Sequence, residues 1–271
     1  MAPTFKAAGG WGLEAYMAAK GWLADYQGGY HGQRATVRRA RSKQVAAMCG
    51  RFSQSYTWEQ IHAFSQPLTL APGRGNLQPR YNIAPTTQVD IIVPSDAGRE
   101  LISARWWLVP GWWKKSLKEV PSTFNARVET VDSSAMFRDA FKRRRCIVPA
   151  SGFFEWTGEK TARIPHYFSA ADGELLGIAG LWDRWKNPEG EVITSCTMVV
   201  RDADEWTAKY HDRMPSFLQP DQFDAWMSGA AGKDILRQTP PQLQEWIVSS
   251  QVNKTGQGDN DATTVAPIAA A

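Results

Sequence analysis

The chain has 271 residues, of which 43% are hydrophobic, and this length allows one large domain with appended segments. No apolar run approaches the roughly 18 to 20 residues of a membrane span, and no signal-peptide core is present, so we expect a cytoplasmic protein with no membrane partner. The three cysteines and four histidines lack the spacing of a disulfide framework or a zinc site, and we expect no metal and no other cofactor.

The surplus of positive charge lies before residue 48. The net charge is +4, yet residues 1–47 hold seven Lys and Arg against two acidic residues, whereas residues 48–271 hold 24 basic and 25 acidic residues. An Ala- and Gly-rich composition without a sustained apolar period predicts that residues 1–48 form a flexible or weakly helical basic extension. This segment either precedes the true start at Met48 or forms a solvated tail. Phosphate binding by the remainder therefore requires a local basic patch.

After Cys49 the chain changes to short apolar runs separated by Gly and Pro turns, which is typical of a β-rich fold. A capping box of Thr57 and Gln60 predicts a helix over 57–64, and further helices are predicted over 134–143 and 221–227. Strands are predicted at 89–93 and 101–107 as a hairpin, then at 146–149, 153–156, 166–169, 176–182, 194–201 and 246–249. The pattern predicts an α+β domain over 49–254 with a large barrel-like sheet and a few flanking helices. The polar, Ala-rich tail over 255–271 is predicted to be disordered.

The sequence Met48-Cys49-Gly50 is a context in which an initiator methionine is removed. Removal would leave Cys49 with an α-amine and a thiol on adjacent carbons, both partly reactive near neutral pH. An aldehyde would form an imine with the amine, and the thiol would then close a five-membered thiazolidine ring. The alternative for Cys49 is an ordinary buried thiol, which is also our expectation for Cys146 and Cys196.

Eight sequence blocks resemble, in order and approximate spacing, those of the SRAP (SOS response-associated peptidase) family of abasic site processing proteins. They are MCGRF at 48–52, RYNIAP at 80–85, WLVPGWW at 107–113, NARVET at 125–130, GFFEW at 152–156, GIAGLW at 177–182, HDRMP at 211–215 and VSSQVN at 248–253. The resemblance implies a ligand of single-stranded DNA with abasic sites, bound at the nucleoid, and a thiazolidine DNA–protein crosslink as product. We expect a monomer. In the family the reactive cysteine directly follows the initiator methionine, whereas 48 residues precede Cys49 here.

The resemblance assigns the reaction to Cys49, Asn125, Glu155 and His211. Glu155 lies in an aromatic stretch where a carboxylate is poorly solvated, which suits general acid–base work, although it could instead face solvent from a strand. His211 lies in a polar loop and would act as a base or hold a sugar hydroxyl. Asn125 would orient the amine and the sugar through its amide, although Asn is also common in turns.

Five more residues of these blocks are candidates for DNA binding. Arg51, Arg127 and Arg213 could each hold a phosphate, although a single arginine is more often a salt-bridge partner. Trp112 and Trp113 follow a Pro-Gly turn that would present them at a loop tip for stacking on bases. Their alternative is a place in the core.

Two other functions use the same residues. One is a thiol peptidase in which His211 activates Cys49, and it could cleave the chain's own bond between Met48 and Cys49. The other is non-covalent binding of single-stranded DNA through the tryptophans and arginines. The imine would also permit slow AP-lyase-like strand cleavage. His62 and His166 match no reactive position in a block, and we predict structural roles for both.

Overall fold

A computed structural model describes residues 50–73, 76–159 and 161–268. The predicted extension over 1–48, the reactive candidate Cys49 and residues 269–271 lie outside this described part. Within the described ranges, no helix is long and apolar enough to cross a membrane.

The helices are short and few, as the sequence predicted. The α-helices are α1 (Trp58–Phe64), α2 (Arg138–Arg143) and α3 (Phe223–Met227), and the 3-10 helices are Leu117–Glu119, Thr207–Lys209, Pro220–Gln222, Lys233–Arg237, Ser250–Asn253 and Ala262–Val265. The predicted capping box is present, because the Thr57 hydroxyl accepts from the Gln60 amide and the Gln60 side chain accepts from the Thr57 amide. Helix α2 begins four residues later than predicted, since a hydrogen-bonded turn at Ser134 precedes it.

The described chain contains fourteen strands. They are β1 (Phe52–Gln54), β2 (Leu68–Leu70), β3 (Arg80–Ile83), β4 (Gln88–Ser95), β5 (Gly98–Trp106), β6 (Asn125–Arg127), β7 (Arg145–Ala150), β8 (Gly152–Thr157), β9 (Ile164–Ala170), β10 (Leu176–Lys186), β11 (Val192–Asp202), β12 (Arg213–Pro215), β13 (Phe217–Leu218) and β14 (Leu243–Ile247). The predicted hairpin is formed by β4 and β5. Strand β14 begins three residues before the predicted start at residue 246.

Five of these strands close into a ring. Strands β5, β4, β7, β10 and β11 pair consecutively in antiparallel fashion. A parallel pairing of β11 with β5, at Ser195↔Arg105 and Cys196↔Trp106, closes the circle. The prediction of an α+β, β-rich fold with a barrel-like sheet is therefore confirmed, and closure removes the exposed edges that these long strands would otherwise present.

A second sheet lies on a separate hydrogen-bonding path, in the order β14-β9-β8-β1-β3. Strand β8 can begin only with glycine, because a Cβ on Gly152 would lie 2.3 Å from the ring of Tyr167 and 2.4 Å from the carbonyl oxygen of Phe168. The same Tyr167 hydroxyl bonds the Ser53 hydroxyl at 2.7 Å. These contacts hold β1, β8 and β9 side by side.

Alternate residues of the barrel strands are buried in two different clusters, as the two-residue period of a strand requires. Ile147 belongs to a cluster that includes apolar side chains of all three helices, whereas Cys146 and Val148 belong to a cluster shared with the second sheet. Cys146 and Cys196 are fully buried free thiols, so the prediction made for them is confirmed.

The predicted disorder of the C-terminal tail is wrong for residues 255–268. Asp259 accepts from the Arg80 guanidinium at 2.8 Å and from the Asn82 backbone amide at 3.0 Å. The 3-10 helix Ala262–Val265 follows, and Pro267 bridges to Val248. The polar composition misled the prediction because these partners are polar groups of β3, far away in the sequence.

Candidate active site

Strand β8 runs beside the first residues of the described chain. Phe52 pairs with Phe153 and Ser53 with Gly152, and the Phe154 amide donates to the Arg51 carbonyl at 3.0 Å. This antiparallel ladder brings the chain that immediately follows Cys49 alongside Phe154 and the next residue, Glu155. Cys49 itself lies outside the described residues.

Glu155 carries a buried carboxylate and lies within β8. Its residue is 1% exposed, and it stands opposite His166 of β9. Because side chains alternate along a strand, Glu155 shares a face with Phe153, whose ring stacks on Phe168 at 4.9 Å. The expectation of an aromatic, poorly solvated setting for this carboxylate agrees with that burial, and the alternative of a strand carboxylate facing solvent does not.

The loop that carries His211 is held on the second sheet by its neighbour Tyr210. The Tyr210 ring packs against His166 at 4.9 Å and against Phe168 at 5.0 Å, and its hydroxyl donates to Glu245 at 2.9 Å. Tyr210 therefore anchors the loop beside the strand partner of Glu155.

His211 is 9% exposed, and its two ring nitrogens differ in their surroundings. Nδ1 accepts a hydrogen bond from the Arg213 backbone amide at 2.9 Å, so in the neutral ring the proton lies on Nε2. Nε2 is buried, and no described residue forms a hydrogen bond with it. Asp212 lies 3.2 Å from Nδ1, but it is mostly exposed, and burial dominates and lowers the pKa of His211. The ring is therefore neutral near pH 7, and Nε2–H can donate to a bound oxygen.

Asn125 begins β6 and is 7% exposed. It pairs with Met198 of β11, and the preceding carbonyl, that of Phe124, accepts from the Trp106 indole at 2.8 Å. The Trp106 ring meets Phe52 edge-on at 4.9 Å. Asn125 is thereby fixed next to the aromatic side chains that border β1.

These contacts bring the elements that carry Asn125, Glu155 and His211 to one group of rings. We call this group the aromatic cluster, and it consists of Phe52, Trp106, Phe124, Phe153, Phe168 and Tyr210. Asn125 and His211 each follow a member of the cluster directly, and Glu155 shares a strand face with one. Strand β6, strand β8 and the loop that carries His211 therefore all meet this aromatic cluster.

The candidate DNA-binding residues divide into two groups. Arg51 donates at 2.7 Å to the side chains of Asn82 and Thr255 and to a backbone carbonyl, and Arg213 pairs with Glu129 at 2.8 Å. Both guanidinium groups therefore hold the fold together. Arg127 is exposed, and no described residue bonds its guanidinium.

The two candidate loop tryptophans follow a hydrogen-bonded turn, but they differ in exposure. A turn is closed by the hydrogen bond from the Trp113 amide to the Pro110 carbonyl, and the Gly111 amide is tied to Asp183 at 2.9 Å. Trp112 is 42% exposed, whereas Trp113 is half-buried against its neighbours. Trp112 is thus the more exposed of the two rings.

Sequence reasoning gave no role to three residues that line a small cavity of about 120 Å³ together with Gly50 and Arg51. They are Trp156, Arg163 and Asn253. The Trp156 indole donates to Asn253 at 2.6 Å, and Asn253 donates to the Arg163 carbonyl at 3.2 Å. Trp156 and Asn253 stand in two of the eight blocks, which was the available signal, whereas nothing in the sequence marks Arg163.

Comparison with known proteins places these observations in a family. The family profile for the SOS response associated peptidase (SRAP) matches residues 48–255. The chain is 31% identical over 182 residues to the abasic site processing protein YoaM of Bacillus subtilis, covering 67% of this chain and 79% of the relative. It is 34% identical over 186 residues to the abasic site processing protein YedK of Escherichia coli, covering 66% and 79%. It is 30% identical over 174 residues to the abasic site processing protein HMCES of Xenopus tropicalis, covering 54% and 52%.

Solved structures show the same fold. A protein from Bordetella bronchiseptica matches with a TM-score of 0.64 at 28% identity, covering 74% of this chain and 100% of the other. A protein from Bacteroides thetaiotaomicron matches with a TM-score of 0.62 at 25% identity, covering 79% and 91%.

Proposed function

The chain belongs to the SOS response associated peptidase (SRAP) family, and from this premise we propose that it processes abasic sites in single-stranded DNA by bonding to them through Cys49. The names of its relatives support the substrate. The observation that carries the mechanism is the ladder between β1 and β8, which brings the chain just after Cys49 alongside the buried Glu155.

The proposed reaction needs no cofactor. The α-amine of Cys49 adds to the aldehyde carbon of the ring-opened sugar, and loss of one water leaves an imine. The thiol then adds to the imine carbon, and its proton passes to the nitrogen, which closes the thiazolidine. Glu155 would move protons in both steps, since its carboxylate lies in the aromatic setting that favours such transfer.

The other two residues would position the sugar. The Nε2–H of His211 can donate to the hydroxyl that ring opening frees, because Nδ1 is held as an acceptor by the Arg213 amide. Asn125 would orient the amine and the sugar through its amide group.

The α-amine must be free for this chemistry. Inside a chain the nitrogen of Cys49 is an amide, whose lone pair is delocalised into the carbonyl and does not attack an aldehyde. Residues 1–48 must therefore be absent from the active protein, either because translation begins at Met48 and the methionine is removed, or because the chain is cut.

A self-cleaving peptidase is the second candidate. It is favoured by the Nε2 of His211, which has no hydrogen-bond partner among the described residues. In that reaction the Cys49 thiol would attack the carbonyl carbon of Met48, the Cys49 nitrogen would leave as the free amine with the thiol proton, and water would hydrolyse the resulting thioester, while the Nε2–H of His211 donates to the carbonyl oxygen. The reaction would create the amine that crosslinking needs. Incubation of the full chain and analysis of its N-terminus would reveal it, and a chain that stays intact would exclude it.

The other two thiols are poor competitors for the aldehyde. Cys146 and Cys196 are fully buried, and burial raises the pKa of each thiol well above its usual range. A thiol that stays protonated is a weak nucleophile.

The experiment that tests the proposal mixes protein beginning at Cys49 with an abasic single-stranded oligonucleotide and looks for a heat- and SDS-stable shifted band. We expect the band with the wild type and its loss in Cys49→Ser, which can form only an imine. Two controls are matched to the chemistry: an oligonucleotide whose abasic aldehyde has been reduced to an alcohol, and protein alkylated under native conditions, where only an accessible thiol reacts. A stable band of wild-type yield from Cys49→Ser would overturn the thiazolidine.

A further inference from the structure

An open cleft of about 770 Å³ lies between the end of β11 and the segment that leads into β14. Its walls include Arg201, Asp204, Trp206, Arg237 and the prolines at 240 and 241. The Trp206 ring packs edge-on against Phe168 at 5.7 Å and against Tyr210 at 5.9 Å. Trp206, which lines the cleft, therefore contacts Tyr210, the residue directly before His211.

Arg201 is a buried cation with few partners. It is 9% exposed, its Nε has no hydrogen-bond partner among the described residues, and Nη2 reaches only the sulfur of Met214 at 3.7 Å. Arg145 is equally buried, yet it donates to three backbone carbonyls and packs on two aromatic rings. Burying a charge costs free energy unless the charge is paired. The buried charge of Arg201 has fewer compensating contacts than that of Arg145.

A second cation faces the same cleft. Arg237 is exposed, and its positive charge acts on Arg201 and contributes to lowering its pKa, after the larger effect of burial. Asp204 acts on Arg201 more strongly than Arg237 does and raises its pKa, and one of its carboxylate oxygens also accepts from the Thr207 amide at 2.7 Å. Arg201 and Arg237 line the same cleft, and two guanidinium groups in one cleft are suited to binding an anion such as a phosphate.

The remaining wall suits a planar ring. The Trp206 indole and the neighbouring prolines border the cleft beside the two cations. An anion next to a flat apolar ring is the chemistry of a nucleotide, whose phosphate binds arginine and whose base stacks on tryptophan.

We propose that this cleft binds a nucleotide of the DNA strand that extends beyond the abasic site, with its phosphate on Arg201 and Arg237 and its base on Trp206. The inference rests on the proposed function and adds a second point of contact for the strand. A free nucleotide has the same chemistry, and the experiment separates the two sources.

The experiment measures the affinity of protein beginning at Cys49 for undamaged, fluorescently labelled 20-nucleotide single strands by anisotropy, at several salt concentrations. We expect Arg237→Ala to weaken binding several-fold and to reduce the salt slope by about 0.7, the share of one phosphate contact on a single strand. Arg138→Ala, which removes an exposed arginine of α2, is the matched control and should change neither quantity.

Arg201→Met separates binding from structure. A cation that serves only the fold would lower the melting temperature when removed, whereas a poorly paired cation kept for a ligand should leave the melting temperature equal or higher while DNA affinity falls. A lower melting temperature with unchanged affinity would overturn the assignment of Arg201.

The remaining arms identify the ligand. Thermal stabilisation of the wild type, but not of Arg237→Ala, by millimolar dAMP would show that the cleft accepts free nucleotides as well, and its absence would leave the strand as the source. Equal competition by a glutamate-rich peptide, or unchanged DNA binding in both arginine variants, would overturn the proposal. Because the strands are undamaged, these results do not depend on crosslinking, and a failure of the thiazolidine chemistry would appear separately as a missing adduct on abasic DNA.

Discussion

Tyr210 contacts one buried histidine, His166, and directly precedes another, His211, and the two differ in their hydrogen bonds. His166 is bonded at both ring nitrogens, to Thr157 at 2.7 Å and to Glu245. His211 is bonded at one nitrogen by a backbone amide, and its other nitrogen has no partner among the described residues. Both imidazoles are about nine-tenths buried.

The comparison teaches that burial alone does not mark a functional residue. Buried polar groups in folded proteins are almost always hydrogen-bonded, so a satisfied ring such as that of His166 needs no further explanation. The half-satisfied ring of His211 does need one, and a sugar hydroxyl would supply the missing partner. The same contrast separates Arg145 from Arg201.

The largest expected effect concerns Glu155 and tests whether this buried residue is functional or structural. We expect Glu155→Gln to slow crosslink formation on the order of 10²-fold or more, because the amide is nearly isosteric but does not transfer protons. Affinity for abasic DNA should hardly change. Single-turnover kinetics of the stable adduct measure the rate, and anisotropy measures the affinity. An unchanged rate would make Glu155 a structural residue like His166.

The next largest effects are expected from substitution of the two histidines, His211 and His166. His211→Ala should slow the crosslink on the order of 10-fold, the equivalent of one hydrogen bond, while the melting temperature stays near that of the wild type. His166→Ala should do the reverse and lower the free energy of unfolding by about 2 kcal/mol, since it leaves buried partners unsatisfied. Adduct kinetics and urea denaturation of both variants would check this, and equal rate losses would end the distinction.

A smaller effect follows from the lowered pKa of His211. Below about pH 6.5 the unfolded chain binds a proton at this residue that the folded chain resists, so stability should fall as the pH drops from 6.5 toward the lower pKa of the folded state. Melting temperatures of the wild type and His211→Gln at pH 5.5, 6.0 and 7.5 isolate this contribution. The difference between the two proteins should change with pH, and a constant difference would contradict the neutral ring.

The smallest expected effect separates the exposed Arg127 from the arginines that are bonded to other residues of the fold. Arg127→Ala should weaken binding of single-stranded DNA by about two- to threefold with no loss of stability, as expected for one exposed phosphate contact. Arg51→Ala should instead lower the melting temperature, because it removes contacts to Asn82 and Thr255. Anisotropy and thermal denaturation on the same samples test both, and a stability loss confined to Arg127→Ala would reverse the assignment.

Much of the fold could be predicted from the sequence because it depends on local patterns. Alternating apolar residues and an intervening turn marked the hairpin of β4 and β5, and the capping box marked the start of α1. A barrel-like sheet was predicted, but the strand pair that closes it could not be, because the parallel pairing of β11 with β5 joins segments about 90 residues apart. The order in residues 255–268 was missed for the same reason, since Asp259 finds its partners on β3.

The candidate site was predictable as a set of residue types but not as an arrangement. The blocks named Glu155, Asn125 and His211, and the aromatic contacts that bring their elements together appear only in the fold. The sequence could not show that Arg51 and Arg213 are bonded to protein partners, or that the Nε of Arg201 has no hydrogen-bond partner among the described residues. Whether a polar group is satisfied depends on long-range packing.

The most direct test of the central claim is the intact mass of the protein after incubation with abasic single-stranded DNA and denaturation. Two forms are compared, the full chain of 271 residues and a chain that begins at Cys49. For the chain beginning at Cys49 we expect a covalent species equal to protein plus oligonucleotide minus one water, and for the chain that retains residues 1–48 we expect none. A stable adduct of equal yield on a chain that still carries residues 1–48 would contradict the terminal-cysteine mechanism.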